Sequence, residues 1–238
     1  MTIASSNKPE FSHLEKSFEK IAKDIIDNHI GQKSILIGLG SGRAVSKIVN
    51  NMTGSICKNC DFICTSIQIK IDAEKKGLKV LDESKIPQLD LVIDGADQIN
   101  KDFFMIKGGG GALLREKIIY YASKKTIIIG DYSKFVNSFT RSLPLEVLPF
   151  ARTAVISYLK NLGGNPILRI LEKGYPYLTE NGNIILDTVF DSYEKITDLD
   201  NKMKEIPGIL ETGLFLKPAS LYYKALEQES FQLIERIK

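Results

Sequence analysis

The sequence predicts an α/β protein: a mostly parallel, doubly wound sheet flanked by helices, with a smaller α+β domain beside it. Three observations carry this reading. Short continuous apolar runs, such as Ser34-Ile35-Leu36-Ile37, Leu89-Asp90-Leu91-Val92-Ile93 and Thr126-Ile127-Ile128-Ile129, have the pattern of strands buried on both faces. Stretches with apolar residues at helical spacing alternate with them, which is the signature of βα units. Beyond Leu143-Pro144-Leu145-Glu146-Val147-Leu148-Pro149 the alternation gives way to strands joined through a turn at Asn181-Gly182-Asn183.

The first helix is signalled by Ser12-His13-Leu14-Glu15, a capping box, followed by Leu14, Phe18, Ile21, Ile25 and Ile26 on one face. Lys20 falls on its polar side. Strand Ser34 to Ile37 runs into Gly38-Leu39-Gly40-Ser41-Gly42-Arg43-Ala44, and Val45, Ile48 and Val49 then recur at helical spacing. Strand, glycine loop and helix form the phosphate-cradling arrangement of α/β proteins. The spacing G-x-G-x-G is neither the dinucleotide fingerprint nor a P-loop, and no acidic residue ends the next strand, Phe62-Ile63-Cys64. A helix over 71–76 and extended residues 78–81 lead to strand 89–93, which enters Asp94-Gly95-Ala96-Asp97-Gln98. A helix over 112–123 precedes strand 126–129, which ends in Gly130-Asp131-Tyr132-Ser133-Lys134. In an open parallel sheet, such loops at the carboxyl ends of strands hold the ligand.

The second domain is expected over 143–210, and the first over 1–142 plus 211–238. Within the second, a helix spans 151–162, strands span 167–171 and 184–190, and a polar helix spans 193–204. The stretch 213–216 reads as a strand and 219–226 as a short helix, both returning to the first sheet.

Composition bounds the function. The 238 residues carry a net charge of +3 with acids and bases mixed along the chain, so no basic stripe argues for nucleic acid. No apolar run approaches the roughly 20 residues needed to cross a bilayer. The first residues, Met1-Thr2-Ile3-Ala4-Ser5-Ser6, lack the apolar centre of a signal peptide, and a soluble cytoplasmic protein is the expectation. Cys57, Cys60 and Cys64 do not form a disulfide framework. Cys57-Lys58-Asn59-Cys60 has metal or redox spacing, but a structural zinc site takes four ligands and no histidine lies nearby.

The chemistry gathers at Lys107-Gly108-Gly109-Gly110-Gly111-Ala112-Leu113-Leu114-Arg115-Glu116-Lys117. Four consecutive glycines cost backbone entropy and bring no side chain to pack. They offer open N–H groups at a helix start, where an anion or developing oxyanion can be held, or they form a plain flexible turn. As an ordinary amphipathic helix, the following run would turn Leu114 and Ile118 inward and leave Arg115, Glu116 and Lys117 wet. Asp94 and Asp97 can close a turn or serve as magnesium ligands. Taken together, Glu116, Asp94, Asp97, Lys107 and the glycine N–H groups suit proton abstraction beside a carbonyl. Glu116 would take a carbon-bound proton, Lys107 and the loop would stabilise the enediolate, and the neighbouring carbon would receive the proton. This requires no metal or organic cofactor. A phosphate on the substrate would sit at the first glycine loop with a base such as Lys134.

With these motifs assembled, the chain resembles the A-type ribose-5-phosphate isomerases over nearly its full length. The matching segments are 37–42, 94–97, 107–118, 131–134, 143–147, 181–187 and 206–208. The resemblance implies a Rossmann-like first domain, a smaller α+β domain and a homodimer or homotetramer. It also implies interconversion of ribose 5-phosphate and ribulose 5-phosphate in the pentose phosphate pathway, with a small-molecule sugar phosphate as the partner. Glu116 matches the family's general base. Asp94, Gly95, Ala96, Asp97, Lys107, Gly108, Gly109 and Gly110 match its sugar contacts, and Ser41, Gly42, Arg43, Ala44 and Lys134 its phosphate surroundings. Lys20 is a looser match on the phosphate side. Two departures stand out. Arg43 and Ala44 replace two hydroxyls usual in the family's phosphate loop, and Arg43 either supplies a charged fork in their place or points into solvent. Gln98 replaces a usual glutamate. A non-catalytic sugar-phosphate sensor on the same fold is the alternative, and the changes at Arg43 and Ala44 are its only motive.

Overall fold

The computed structural model describes residues 9–30, 34–82 and 88–235. The chain forms two compact units, neither contiguous in sequence: 1–95, 123–133 and 219–238 make one, and 96–122 with 134–218 the other. The second unit is larger than the expected 143–210, because it also takes in 96–122, 134–142 and 211–218.

The first unit is built on a seven-stranded sheet with strands β1 (Leu36–Leu39), β2 (Asp61–Cys64), β3 (Lys79–Val80), β4 (Leu89–Gly95), β7 (Ser123–Asp131), β13 (Leu221–Leu226) and β14 (Ser230–Glu235). The order is β14-β13-β7-β4-β1-β2-β3, and every pair is parallel except β13 with β14. Helices α1 (Pro9–Ile25), α2 (Arg43–Asn51) and α3 (Ile67–Lys75) share one core with Ile37, Leu39, Leu91, Ile93, Ile127, Ile129 and Tyr223 of the sheet. The strand order reverses at β1, which lies between β2 and β4. The loops after β1 and β4 therefore leave the sheet side by side at the switch point, where α/β sheets bind ligands.

Three local expectations are revised in this unit. Helix α1 already runs through Ser12, so that residue is not its cap. Strand β1 lies two residues later than expected, because Gly38 and Leu39 continue the ladder opposite Ile63 and Cys64. Residues 221–226 are a strand rather than a helix. Their spacing suits either state, and pairing with β7 buries Tyr222 and Tyr223 completely.

The second unit holds a four-stranded antiparallel sheet of order β11-β8-β10-β9, from β8 (Leu143–Val147), β9 (Gly164–Leu168), β10 (Ile184–Phe190) and β11 (Ile209–Thr212). A three-stranded sheet joins β5 (Gln98–Ile99), β6 (Met105–Ile106) and β12 (Leu214–Phe215). Strand β12 thus belongs here and not to the first sheet. Strand β9 begins at Gly164, ahead of the expected Ile167; Pro166 is accommodated because β9 is an edge strand. Helices α4 (Leu113–Tyr121), α5 (Arg152–Asn161) and α6 (Ile196–Lys204) complete the unit.

Candidate active site

In the first unit, the β1 loop lies against the end of β4. The Gly40 N–H donates to the Ile93 carbonyl at 2.9 Å, and a Cβ added at Gly40 would overlap the Asp94 carboxylate. Only glycine allows that approach. Asp94 is fully buried, and its Oδ1 accepts the Gly95 N–H at 2.7 Å. Ser41 Oγ lies 2.8 Å from Thr65 Oγ1, so its hydroxyl is positioned from β2's end. Gly42 precedes α2 with φ +88°, and Arg43 opens that helix with an exposed side chain. Ala44 and Gly95 sit together: a Cβ at Gly95 would rest 3.8 Å from that of Ala44. The sequence-predicted phosphate loop and Asp94 are therefore neighbours.

Lys20 does not stand free in solvent. Its Nζ donates to the Glu229 carbonyl at 2.7 Å. Cys57 and Cys60 are buried in the apolar core, and burial, with the neighbouring Cys60 adding to it, pushes the Cys57 thiol up to about 11. Both thiols pack among the apolar side chains of the first unit's core, as small apolar groups do. Among the described residues no three His, Cys, Asp or Glu side chains group as metal ligands. No helix of the described residues is long and apolar enough to cross a membrane.

In the second unit, α4 inverts the expected amphipathic pattern. Its buried stripe is Leu113, Glu116, Lys117 and Tyr120, at spacings of three and four, while Ile118 is 49% exposed. Two charges on the inward face of a helix require partners. Glu116 Oε2 forms an ion pair with Lys107 Nζ at 3.0 Å, with only 3% and 7% of the lysine and glutamate side chains exposed. Lys107 follows β6 directly, and its backbone N–H is fixed by the Gly213 carbonyl at 2.9 Å. Lys117 Nζ turns the other way along the stripe, donating to Glu211 Oε1 at 2.8 Å and the Thr212 carbonyl at 2.7 Å. Burial, opposed by the Glu211 charge, holds the Lys117 ammonium below the usual lysine value of 10.5. Both lysines lie over the buried Phe215 ring, at 5.4 Å for Lys107 and 4.9 Å for Lys117. Sequence reasoning missed Phe215 and the pairing of Lys117; no local pattern marks either.

Asp97 joins this group through the glycine loop. Its Oδ2 accepts the Gly109 N–H at 2.7 Å, and Arg141 Nη1 lies 3.7 Å from Oδ1. A Cβ at Gly109 would stand 2.6 Å from Asp97 Oδ1, and one at Gly111, where φ is +81°, would strike the Tyr177 ring. Glycine at 109 and 111 thus has a steric cause. Gln98 points away from the charges: its Nε2 donates to Thr140 Oγ1 at 2.7 Å, and its Oε1 accepts the Thr140 and Arg141 N–H groups at 2.9 and 3.1 Å. An amide can both donate and accept there, so the change from glutamate leaves a fully used side chain. Lys134 closes the short helical turn Tyr132–Lys134, half-buried.

The sequence profile of ribose 5-phosphate isomerase A (phosphoriboisomerase A) matches residues 61–229, more than half of the chain. The chain belongs to the ribose 5-phosphate isomerase A family. Ribose-5-phosphate isomerase A of Methanosarcina acetivorans is 35% identical over 208 residues, covering 86% of this chain and 89% of the relative. The human ribose-5-phosphate isomerase is 32% identical, covering 94% of this chain and 75% of its own length. A solved structure of a D-ribose-5-phosphate isomerase in complex with phospho-erythronic acid superposes with a TM-score of 0.85 at 28% identity, covering 94% of this chain and 99% of that one. The isomerase family accounts for the α/β fold.

Proposed function

We infer that this chain interconverts D-ribose 5-phosphate and D-ribulose 5-phosphate, with Glu116 as the general base. The observation that carries the reading is the buried ion pair of Lys107 with Glu116 beside the glycine loop, in a chain of this family. A helix does not bury a carboxylate without a reason, and here the carboxylate is paired with the ammonium of Lys107, the residue that opens the glycine run. Glu116 removes the proton from C2 of the open-chain aldose. The electron pair moves into the enediolate, whose developing charge is met by the Lys107 ammonium and a loop N–H. The O2 proton passes to O1, and the same carboxyl returns its own proton to C1 as the electron pair falls back to make the C2 carbonyl, giving the ketose. Asp94 and Asp97 bind sugar hydroxyls and assist ring opening. The phosphate is taken by Ser41, Gly42, Arg43 and Ala44, with Lys134. Lys20, whose ammonium is held by Glu229, is left outside this set. The action on a small sugar phosphate in the cytoplasm, by a homodimer or homotetramer, is part of the same proposal.

The test is turnover of ribose 5-phosphate by metal-stripped protein and by Glu116→Gln. Wild type is expected to form ribulose 5-phosphate. The variant should lose roughly 10²–10⁴-fold in kcat while still binding phospho-erythronic acid. Wild type that binds ribose 5-phosphate without converting it would overturn the reading in favour of a sensor.

A further inference from the structure

We propose that Arg169 and Tyr177, braced by Asp187, are positioning residues that aim the Gly110 N–H of the glycine loop at the reacting oxygen. The proposal rests on the isomerase reading above and adds to it the residues that order the loop.

A glycine run has no side chains by which the fold can grip it, so any order must come through its peptide groups. Three successive carbonyls are gripped. Arg169 Nη1 donates to the Gly108 carbonyl at 2.9 Å and the Gly109 carbonyl at 3.1 Å, and the Tyr177 hydroxyl donates to the Gly110 carbonyl at 2.8 Å. The guanidinium is itself fixed by two bonds to Asp187, Nε to Oδ2 at 2.8 Å and Nη2 to Oδ1 at 2.5 Å. It also lies over the Tyr177 ring at 5.7 Å. The two residues are joined through their backbones, since the Tyr177 N–H donates to the Arg169 carbonyl at 2.9 Å.

Because a trans peptide is planar with its C=O and N–H opposed, fixing a carbonyl also fixes the direction of the next residue's N–H. The three peptides can be followed one at a time. The group whose carbonyl is Gly108's sends its N–H, that of Gly109, to Asp97 Oδ2 at 2.7 Å. The group whose carbonyl is Gly110's sends its N–H, that of Gly111, to the Gly108 carbonyl at 2.9 Å. Between them, the Gly109 carbonyl is held by Arg169, and the matching Gly110 N–H has no acceptor among the described residues. Gly110 is exposed, and a Cβ there would meet nothing within 4 Å. One donor is thus presented outward while its neighbours are spent on keeping it still. A cation on the carbonyl of that peptide also polarises it, strengthening the N–H as a donor. Donors aimed in advance at a developing oxyanion are what lower such a barrier.

The experiment compares Tyr177→Phe and Arg169→Lys with wild type. Tyr177→Phe removes one hydroxyl bond and keeps the ring, so kcat for ribose 5-phosphate should fall about 3–10-fold. Arg169→Lys keeps a charge but cannot bridge two carbonyls and a carboxylate, and its kcat should fall on the order of 10²-fold, as expected of a misaimed group. In both, KM should stay within about threefold and the pH at which activity rises should not move, since Glu116 is untouched. Amide exchange over 107–112 should quicken in both variants while the rest of the chain keeps its protection. Wild-type turnover with unchanged kcat and unchanged loop exchange in the two variants would overturn this proposal and leave the isomerase reading standing. A global loss of protection in both variants, with kcat falling only in step with folded protein, would overturn it too. Inactive wild type would instead remove the isomerase reading on which it rests.

Discussion

Replacing Lys107 by methionine isolates the energetics of the buried pair. The substitution keeps the length of the stem and deletes the ammonium, leaving the Glu116 carboxylate in a place where only 7% of its side chain meets solvent. At the observed 3.0 Å the gross attraction is about 5–6 kcal/mol at an effective dielectric constant of about 20. The desolvation of both ions offsets that attraction when the pair is intact, whereas breaking the pair exposes the uncompensated charge and costs about 3–5 kcal/mol. For a chain of this size each kcal/mol corresponds to roughly 2–4 °C in Tm, so Lys107→Met should melt roughly 6–20 °C below wild type. Removing the second charge as well, in Lys107→Met with Glu116→Met, should recover at least half of that loss, because two apolar side chains leave no ion buried. Thermal unfolding of the four proteins of this cycle, in one buffer, is the assay. A Tm for Lys107→Met within about 2 °C of wild type, or a double variant no more stable than the single, would refute the idea that Glu116 depends on Lys107 for its place in the fold.

Two further outcomes follow from the geometry. Burial lowers the Lys117 pKa below 10.5, so the folded state holds that proton less tightly than the unfolded chain. Stability contributed at this position therefore rises as pH climbs from the folded-state value towards 10.5. In urea unfolding, wild type should gain on Lys117→Met over that range, and a flat or falling difference would contradict the burial argument. If Arg43, at the start of α2, makes a charge-assisted contact to the substrate phosphate, Arg43→Ala should raise KM roughly 10–150-fold with little change in kcat; an unchanged KM would remove Arg43 from the phosphate site.

Much of the first sheet was legible because its strands are buried on both faces. Runs such as Leu91-Val92-Ile93 and Ile127-Ile128-Ile129 have no other reading that buries them, and the glycine loop after β1 marks its own place by the turn it must make. The strand at 221–226 was not legible, since its apolar spacing suits a helix as well and only pairing with β7, some 90 residues away in sequence, decides the matter. The motif 107–117 singled out Lys107 and Glu116 as charged residues flanking a glycine run. It did not tell which way they face, and taken as an ordinary amphipathic helix it puts Glu116 in water.

The α/β class and the two glycine loops can be read from residue order alone, because they depend on local backbone demands and on the apolar pattern of the strands. The tertiary structure alone decided that α4 turns Glu116 and Lys117 inward and Ile118 outward. The reason is that Glu211 and Phe215, some 95 residues away in sequence, supply the countercharge for Lys117 and the ring beneath both lysines, while the turn of the glycine run brings Lys107 back onto Glu116. The same holds for the four glycines: the sequence shows that they are there, and Asp97 and Tyr177, packed against Gly109 and Gly111, show why no side chain fits at those two.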